Sequence, residues 1–257
     1  MTVRSARSFL FVPADEPTRV AKAARAGADA VILDLEDSVV GTNKSDARET
    51  AERVLRERPG PSLWLVRING VDSAFFADDL NMVARAAPDG VVVPKADPDV
   101  LARVDPAIPT IIALIETAVG LARAQEVAAD SRVVRLQLGA LDLALQLGLQ
   151  PRADGLELLH PRATLVLASA LGGCAGPVDS VFVGIRDLKG LERDAELGRS
   201  LGCSGKACIH PSHLDVLHRV FRPAAAGAGA IQYEGAMVDR PLVEQAQRII
   251  EAAARVT

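Results

Sequence analysis

Two carboxylates stand just past the ends of strong apolar runs. Thr110-Ile-Ile-Ala-Leu-Ile closes on Glu116, and Val133-Val-Arg-Leu-Gln-Leu-Gly-Ala-Leu reaches Asp142. A short apolar run bounded by turn residues reads as a buried strand, so both acids should emerge at strand carboxyl ends. That edge is where α/β proteins build active sites. Two converging carboxylates can hold a hard divalent cation, and Mg2+ commonly takes one or two carboxylates with water and substrate oxygens completing its shell. Such a metal suits chelation of a 2-oxo acid through its carboxylate and carbonyl. For any one of these charges, a structural salt-bridge ring is the competing reading. Zinc is not expected, because no Cys/His set has suitable spacing: Cys203 and Cys208 read as core thiols, and His210 and His213 flank a turn at Pro211.

Other charges fall at strand ends as well: Glu36 and Asp37 after the second strand, Arg67 at the third, Lys95 after the fourth and His210 after the eighth. Arg67 offers a rigid, always-charged fork able to clamp a carboxylate or an enolate oxygen. Glu36, Asp37 and Lys95 read as supports that pair with Arg67 or with one another. Gly202-Cys-Ser-Gly-Lys-Ala lacks the spacing and hydroxyl of a phosphate-binding loop.

These residues need a scaffold that brings strand ends together. Eight apolar runs can be marked, each followed by a helical segment: Phe9–Val12, Ala30–Leu35, Leu63–Ile68, Val91–Val93, Ile111–Ile115, Val133–Leu138, Val178–Val183 and Ala207–Ile209. Gly27, Gly90 and Gly202 sit where helices meet the next strand, as left-handed caps. Eight strand–helix units in this length predict an α/β fold, a closed TIM (β/α)8 barrel, over residues 1–220. An open doubly wound sheet would want a glycine-rich turn after its first strand, and Pro13-Ala-Asp-Glu-Pro17 has no glycine. Residues 221–257 read as a loop and a final helix, Pro241–Ala254, serving as a lid or docking on a neighbouring subunit.

The bulk properties narrow the partners. A net charge of −4 with no Lys/Arg block argues against nucleic acid. Three cysteines do not make a disulfide framework, which suits a reduced cytoplasmic setting. The amino-terminal apolar stretch is too short for a signal peptide, and no stretch is long enough to span a membrane.

Taken in order, the segments Arg7–Ala14, Gly27–Asp37, Val66–Asn69, Val93–Lys95, Ile115–Thr117, Gly139–Asp142, Gly205–Pro211 and Gly235–Pro241 resemble the citrate lyase β-subunit-like branch of the HpcH/HpaI aldolase superfamily, which includes malyl-CoA and citramalyl-CoA lyases. The resemblance implies a Mg2+-dependent carbon–carbon lyase that cleaves or forms a 3-hydroxyacyl-CoA thioester such as citryl-, citramalyl- or malyl-CoA. The products would be an acyl-CoA and a 2-oxo acid. By the same resemblance Glu116 and Asp142 bind Mg2+, and Arg67 contacts the substrate oxygen and the enolate. Phe11 and Lys22 match CoA-binding positions, and Ile209 and His210 match positions lining the substrate site. Asp239 matches a catalytic aspartate that reaches a neighbouring subunit's site from the carboxyl-terminal segment, in assemblies that are homotrimers or hexamers. Two departures stand out: Glu16 where some relatives place an arginine toward CoA, and Gly184 where an acidic residue often follows strand seven. Pyruvate-type aldol cleavage of free hydroxy-oxo acids, thioesterase or malate-synthase-like activity, and a non-catalytic role within a lyase complex are the alternatives.

Overall fold

Strands buried on both faces need a closed sheet with helices outside it, and the chain builds one. The computed structural model describes residues 1–222. Eight parallel strands close in chain order: β1 (Ser8–Pro13), β2 (Ala30–Asp34), β3 (Leu63–Arg67), β4 (Gly90–Val93), β5 (Ile111–Ile115), β6 (Val133–Leu138), β7 (Ala175–Asp179) and β8 (Gly205–Cys208). Strand β8 pairs back onto β1, Phe9 opposite Ala207. Around them run α1 (Pro17–Ala23), α2 (Lys44–Glu57), α3 (Phe76–Ala86), α4 (Pro98–Arg103), α5 (Ala118–Ala122), α6 (Ala124–Ala128), α7 (Ala140–Leu147), α8 (Leu159–Gly172), α9 (Leu188–Leu201) and α10 (Leu214–Val220). The fold is the expected TIM barrel.

Alternate residues of each strand fill the interior. Phe9, Ile32, Leu65, Val92, Ile112, Val178 and Ala207 form one apolar stack. The same period of two carries Asp34, two residues past Ile32, to the carboxyl-terminal rim, where β-sheet register sets it beside Arg67.

The amino-terminal end of the barrel is closed by an arginine. Arg135 of β6 is fully buried, and its guanidinium donates to the carbonyls of Ala6 (2.5 Å) and Gly176 (2.7 and 3.0 Å) and to Ser204 Oγ (2.6 Å). Phe9 lies under it, its ring centroid 5.2 Å from Cζ. Burial without a carboxylate partner lowers its pKa to about 9. A second charged set ties β7 and β8 to the outer layer: Asp179 accepts from Arg162 Nε (2.8 Å) and Lys206 Nζ (2.6 Å), and both cations also reach Asp194. Burial pushes the Asp179 carboxyl up, but Lys206 and Arg162 outweigh it and hold its pKa below the ordinary value.

Three local expectations need correction. The seventh strand is Ala175–Asp179 rather than Val178–Val183, because Ala-Gly-Pro fits a crowded barrel position that reads as a turn; a β-carbon at Gly176 would lie 3.0 Å from the Gly202 carbonyl. Gly90 is not a left-handed cap: α3 ends in that conformation at Ala87 (φ 46°), and Gly90 is the first residue of β4, packed against Leu65 and Thr110. The helical segment expected after the fifth run is not one helix but two, α5 and α6, divided at Arg123. The sequence expectations for 223–257, including the final helix and Asp239, lie outside the described residues. Among the described residues no helix is long and apolar enough to cross a membrane.

Candidate active site

Strand ends at the carboxyl-terminal rim surround a cavity of about 550 Å3, lined by Phe11, Arg67, Glu116, Gln137, Asp142 and Ile209 among others. The floor of the cavity is mainly apolar, and its charges come from α1, from the carboxyl ends of β2, β3 and β5, and from α7.

Arg67 ends β3 and is 12% exposed in its side chain. Asp34 holds it in a two-point clamp, Nε to Oδ1 at 2.7 Å and Nη2 to Oδ2 at 2.6 Å. Asp34 is itself fixed by the backbone N–H of Glu36 and by Ser38. Burial raises the Asp34 carboxyl, but the Arg67 hydrogen bonds outweigh it and its pKa falls. The same contacts overcome desolvation of Arg67 and raise its pKa. The Phe11 ring stacks 5.1 Å from Arg67 Cζ. Glu36 Oε2 lies 3.1 Å from Nη1 yet off the hydrogen-bond line, so that buried oxygen makes no hydrogen bond. Asp37, exposed, is 3.8 Å from Nη1.

Glu116 follows β5 and is 4% exposed. Its Oε1 accepts the backbone N–H of Lys95 at 2.8 Å. That N–H is aimed by an unusual backbone: Lys95 has φ 50°, a left-handed conformation that costs a residue with a β-carbon roughly 1–2 kcal/mol. The Lys95 side chain leaves the site's centre and pairs with Glu36 Oε1 at 2.8 Å. Gly139 lies against the opposite side of Glu116, where an added β-carbon would stand 2.5 Å from Glu116 Cβ and 2.7 Å from Oε2. Burial, followed by the negative charges of Glu36 and Asp142, raises the Glu116 pKa to about 7. Asp142 stands in the first turn of α7, whose entry is oriented by Ser180 Oγ accepting the Ala140 N–H at 3.2 Å.

Like-charged carboxylates crowded into a buried cleft are electrostatically costly, and a hard divalent cation among them offsets that cost. The site therefore fits such an ion, and Glu116 and Asp142 are the carboxylates that could hold it. Among the described residues no group of three or more His, Cys, Asp or Glu side chains is placed to hold a metal. Cys203 and Cys208 are buried, with burial pushing both thiols up to about 12.

The structure thus brings Phe11, Glu36, Asp37, Arg67, Lys95, Glu116, Asp142 and Ile209 to one rim. It does not bring Lys22 and His210 into the cavity wall. Lys22 is exposed on α1, and Arg19, one turn earlier, lines the cavity instead. His210 is exposed, and its Nδ1 accepts the Ser212 N–H at 3.1 Å, capping the short turn Pro211–His213. Sequence reasoning missed Asp34, Gln137 and Ser180. Counting alternate positions from Ile32 or backwards from Gly139 would have turned the first two inward.

The chain is similar to known proteins along most of its length. The family described as HpcH/HpaI aldolase/citrate lyase matches residues 7–211. A citrate lyase subunit beta-like protein of Mycobacterium tuberculosis is 38% identical over 279 residues, covering 100% of this chain and 99% of that protein. A (3S)-malyl-CoA thioesterase of Cereibacter sphaeroides is 36% identical, over 86% of this chain and 78% of that protein. The crystal structure of protein CitE from Mycobacterium tuberculosis with magnesium, acetoacetate and coenzyme A superposes with a TM-score of 0.82 at 35% identity, covering 98% of this chain and 100% of that one.

Proposed function

Because the chain belongs to the HpcH/HpaI aldolase/citrate lyase family, we propose that its rim cavity carries out reversible cleavage of a 3-hydroxyacyl-CoA thioester into an acyl-CoA and a 2-oxo acid. The observation that carries this reading is one cavity holding a buried carboxylate pair, Glu116 and Asp142, beside a guanidinium clamped in place by Asp34. The CitE structure with magnesium and coenzyme A supports the choice of metal and of thioester.

Glu116 and Asp142 would hold Mg2+, which would supply Lewis acidity and a template for the acid half of the substrate. Asp239 takes the substrate hydroxyl proton and the carbon–carbon bond breaks, its electrons passing to the thioester as an enolate while the hydroxyl carbon becomes the 2-oxo carbon. Arg67 receives the developing enolate charge; a donor fixed in place before reaction is worth roughly 3–4 kcal/mol of barrier. Phe11 and Ile209 give the apolar wall that excludes water from that enolate. Asp239, which lies outside the described residues, then returns that proton to the enolate carbon, and the protein acts as a homotrimer or hexamer. Lys22 and His210, at the outer edge, serve the CoA and substrate entrance. The enzyme works in the cytoplasm on free small-molecule thioesters.

The test is a panel of citryl-, citramalyl-, malyl- and 3-hydroxy-3-methylglutaryl-CoA with Mg2+, reading the 2-oxo acid released. At least one should be cleaved, and chelation should abolish the reaction; full turnover in excess EDTA would sink the reading. The similarity to (3S)-malyl-CoA thioesterases favours one second reading, hydrolysis of the thioester. Free CoA appearing in the same assay without 2-oxo acid would establish it.

A further inference from the structure

Gln137 is a buried polar residue in this cavity that none of the preceding chemistry uses. It lies on β6 opposite Leu114 of β5 and Val178 of β7, two residues before Gly139, so its side chain enters the barrel beneath Glu116. It is 2% exposed and lines the cavity. Its Oε1 is buried with no hydrogen-bond partner among the described residues. Around it the cavity floor is apolar, with Leu114, Leu138 and Val181 alongside. A buried amide oxygen left unpaired costs about 1–3 kcal/mol, so a position like this is stable only if something in the working protein meets it.

The metal ligands and Arg67 sit above it at the rim and deal with the carboxylate, the oxo group and the enolate. What projects past them to the floor is the remaining substituent of the 2-oxo acid, R in R–CO–COO−. We propose that Gln137 is the specificity-determining residue for that substituent, selecting acids whose R carries a hydrogen-bonding oxygen, hydroxyl or carboxylate, over those whose R is alkyl. With its amide turned to present either end to the cavity, the carboxamide accepts from a hydroxyl through its oxygen or donates to a carboxylate through its nitrogen, and an alkyl group satisfies neither. A site built around a buried hydrogen-bonding group discriminates strongly against an analogue that leaves it unpaired, whereas apolar pockets discriminate weakly by size alone. This rests on reading the cavity as a 2-oxo acid site.

The test is equilibrium binding of free acids to the full-length protein in saturating Mg2+, by calorimetry. The probes are 3-hydroxypyruvate and oxaloacetate against 2-oxobutyrate, which matches the first closely in size. At least one oxygenated acid should bind about tenfold or more tighter than 2-oxobutyrate. Which of the two does so identifies hydroxyl or carboxylate. In Gln137→Met, and in Gln137→Leu as a second variant, that ratio should fall close to one, with Mg2+ binding retained. Equal or tighter binding of 2-oxobutyrate by the unaltered protein would overturn the proposal, and so would a ratio that survives both substitutions. If no thioester is cleaved but the ratio behaves as expected, the lyase reading fails and the selectivity stands. If no 2-oxo acid binds at all, both fall.

Discussion

Glu116 shows how a residue's burial can set its chemistry. Its carboxyl titrates near 7 because it is desolvated and faces Glu36 and Asp142. A carboxyl raised in the folded state contributes stability below its unfolded pKa, near 4.5, and loses that contribution as pH rises through 7. By pH 8 the metal-free protein should have lost roughly 3 kcal/mol on this account. Glu116→Gln should therefore raise the melting temperature of the metal-free protein at pH 8 and change it little at pH 5. The same variant should lose the thermal stabilisation that Mg2+ gives the unaltered protein. A variant no more stable than the parent at pH 8 would show that the site does not carry this electrostatic cost. Asp34 supplies a second prediction at this scale. Asp34→Asn keeps one hydrogen bond to Arg67 but removes the charge that fixes the fork, and thioester cleavage should fall about 100-fold in kcat. Unchanged kcat would mean that Arg67 finds its position without the clamp. Of this site, the carboxylate pair and Arg67 were legible because each interrupts or ends an apolar run. Asp34 was not, because Ala30–Leu35 is apolar on both faces and hides the alternation that turns Asp34 toward Arg67.

Elements rather than single residues decide where those groups meet. The β6–α7 junction can place Asp142 near Glu116 only because position 139 has no side chain; a methyl there would collide with the Glu116 stem. Gly139→Ala should weaken Mg2+ binding by about tenfold or more, since relief of a clash of this kind typically costs 1–3 kcal/mol. Calorimetric titration of Mg2+ checks this, and wild-type affinity would show that α7 can shift without consequence. The junction after β4 works the other way: the left-handed turn at Lys95 spends backbone strain to aim one N–H at Glu116. Most strands and helices were legible from apolar runs and their bounding glycines. β7 was not, because Gly176 and Pro177 answer to a close approach of the neighbouring backbone that local pattern does not carry. The left-handed cap at Ala87 was equally hidden, a conformation imposed by the return into β4 on a residue with no intrinsic preference for it.

At the scale of the barrel, charge is also buried outside the active-site cavity. The Asp179, Arg162, Lys206 and Asp194 set joins β7 and β8 to α8 and α9, and breaking one member leaves the others uncompensated. Asp179→Asn should destabilise the protein by about 3–5 kcal/mol in denaturant titration while leaving kcat of the folded enzyme near normal. The pKa of Asp179 is depressed, so its stabilisation is present above the unfolded carboxyl pKa and disappears as pH falls through the folded value; the difference between parent and variant should shrink in acid. A variant as stable as the parent at neutral pH would assign the network no net role. Arg135, at the opposite end from the active site, has a kinetic consequence. Its guanidinium ties β6 across the interior to Ala6, Gly176 and Ser204, stoppering that end of the barrel. Both reactants must then use the same mouth, and the small acid that reaches the floor lies behind the bulky thioester. Condensation should follow a compulsory order, acid before acyl-CoA, and cleavage the reverse. In the cleavage direction the 2-oxo acid should inhibit competitively against the hydroxyacyl-CoA and the acyl-CoA noncompetitively, whereas the opposite pattern would mean that the acid leaves by another route.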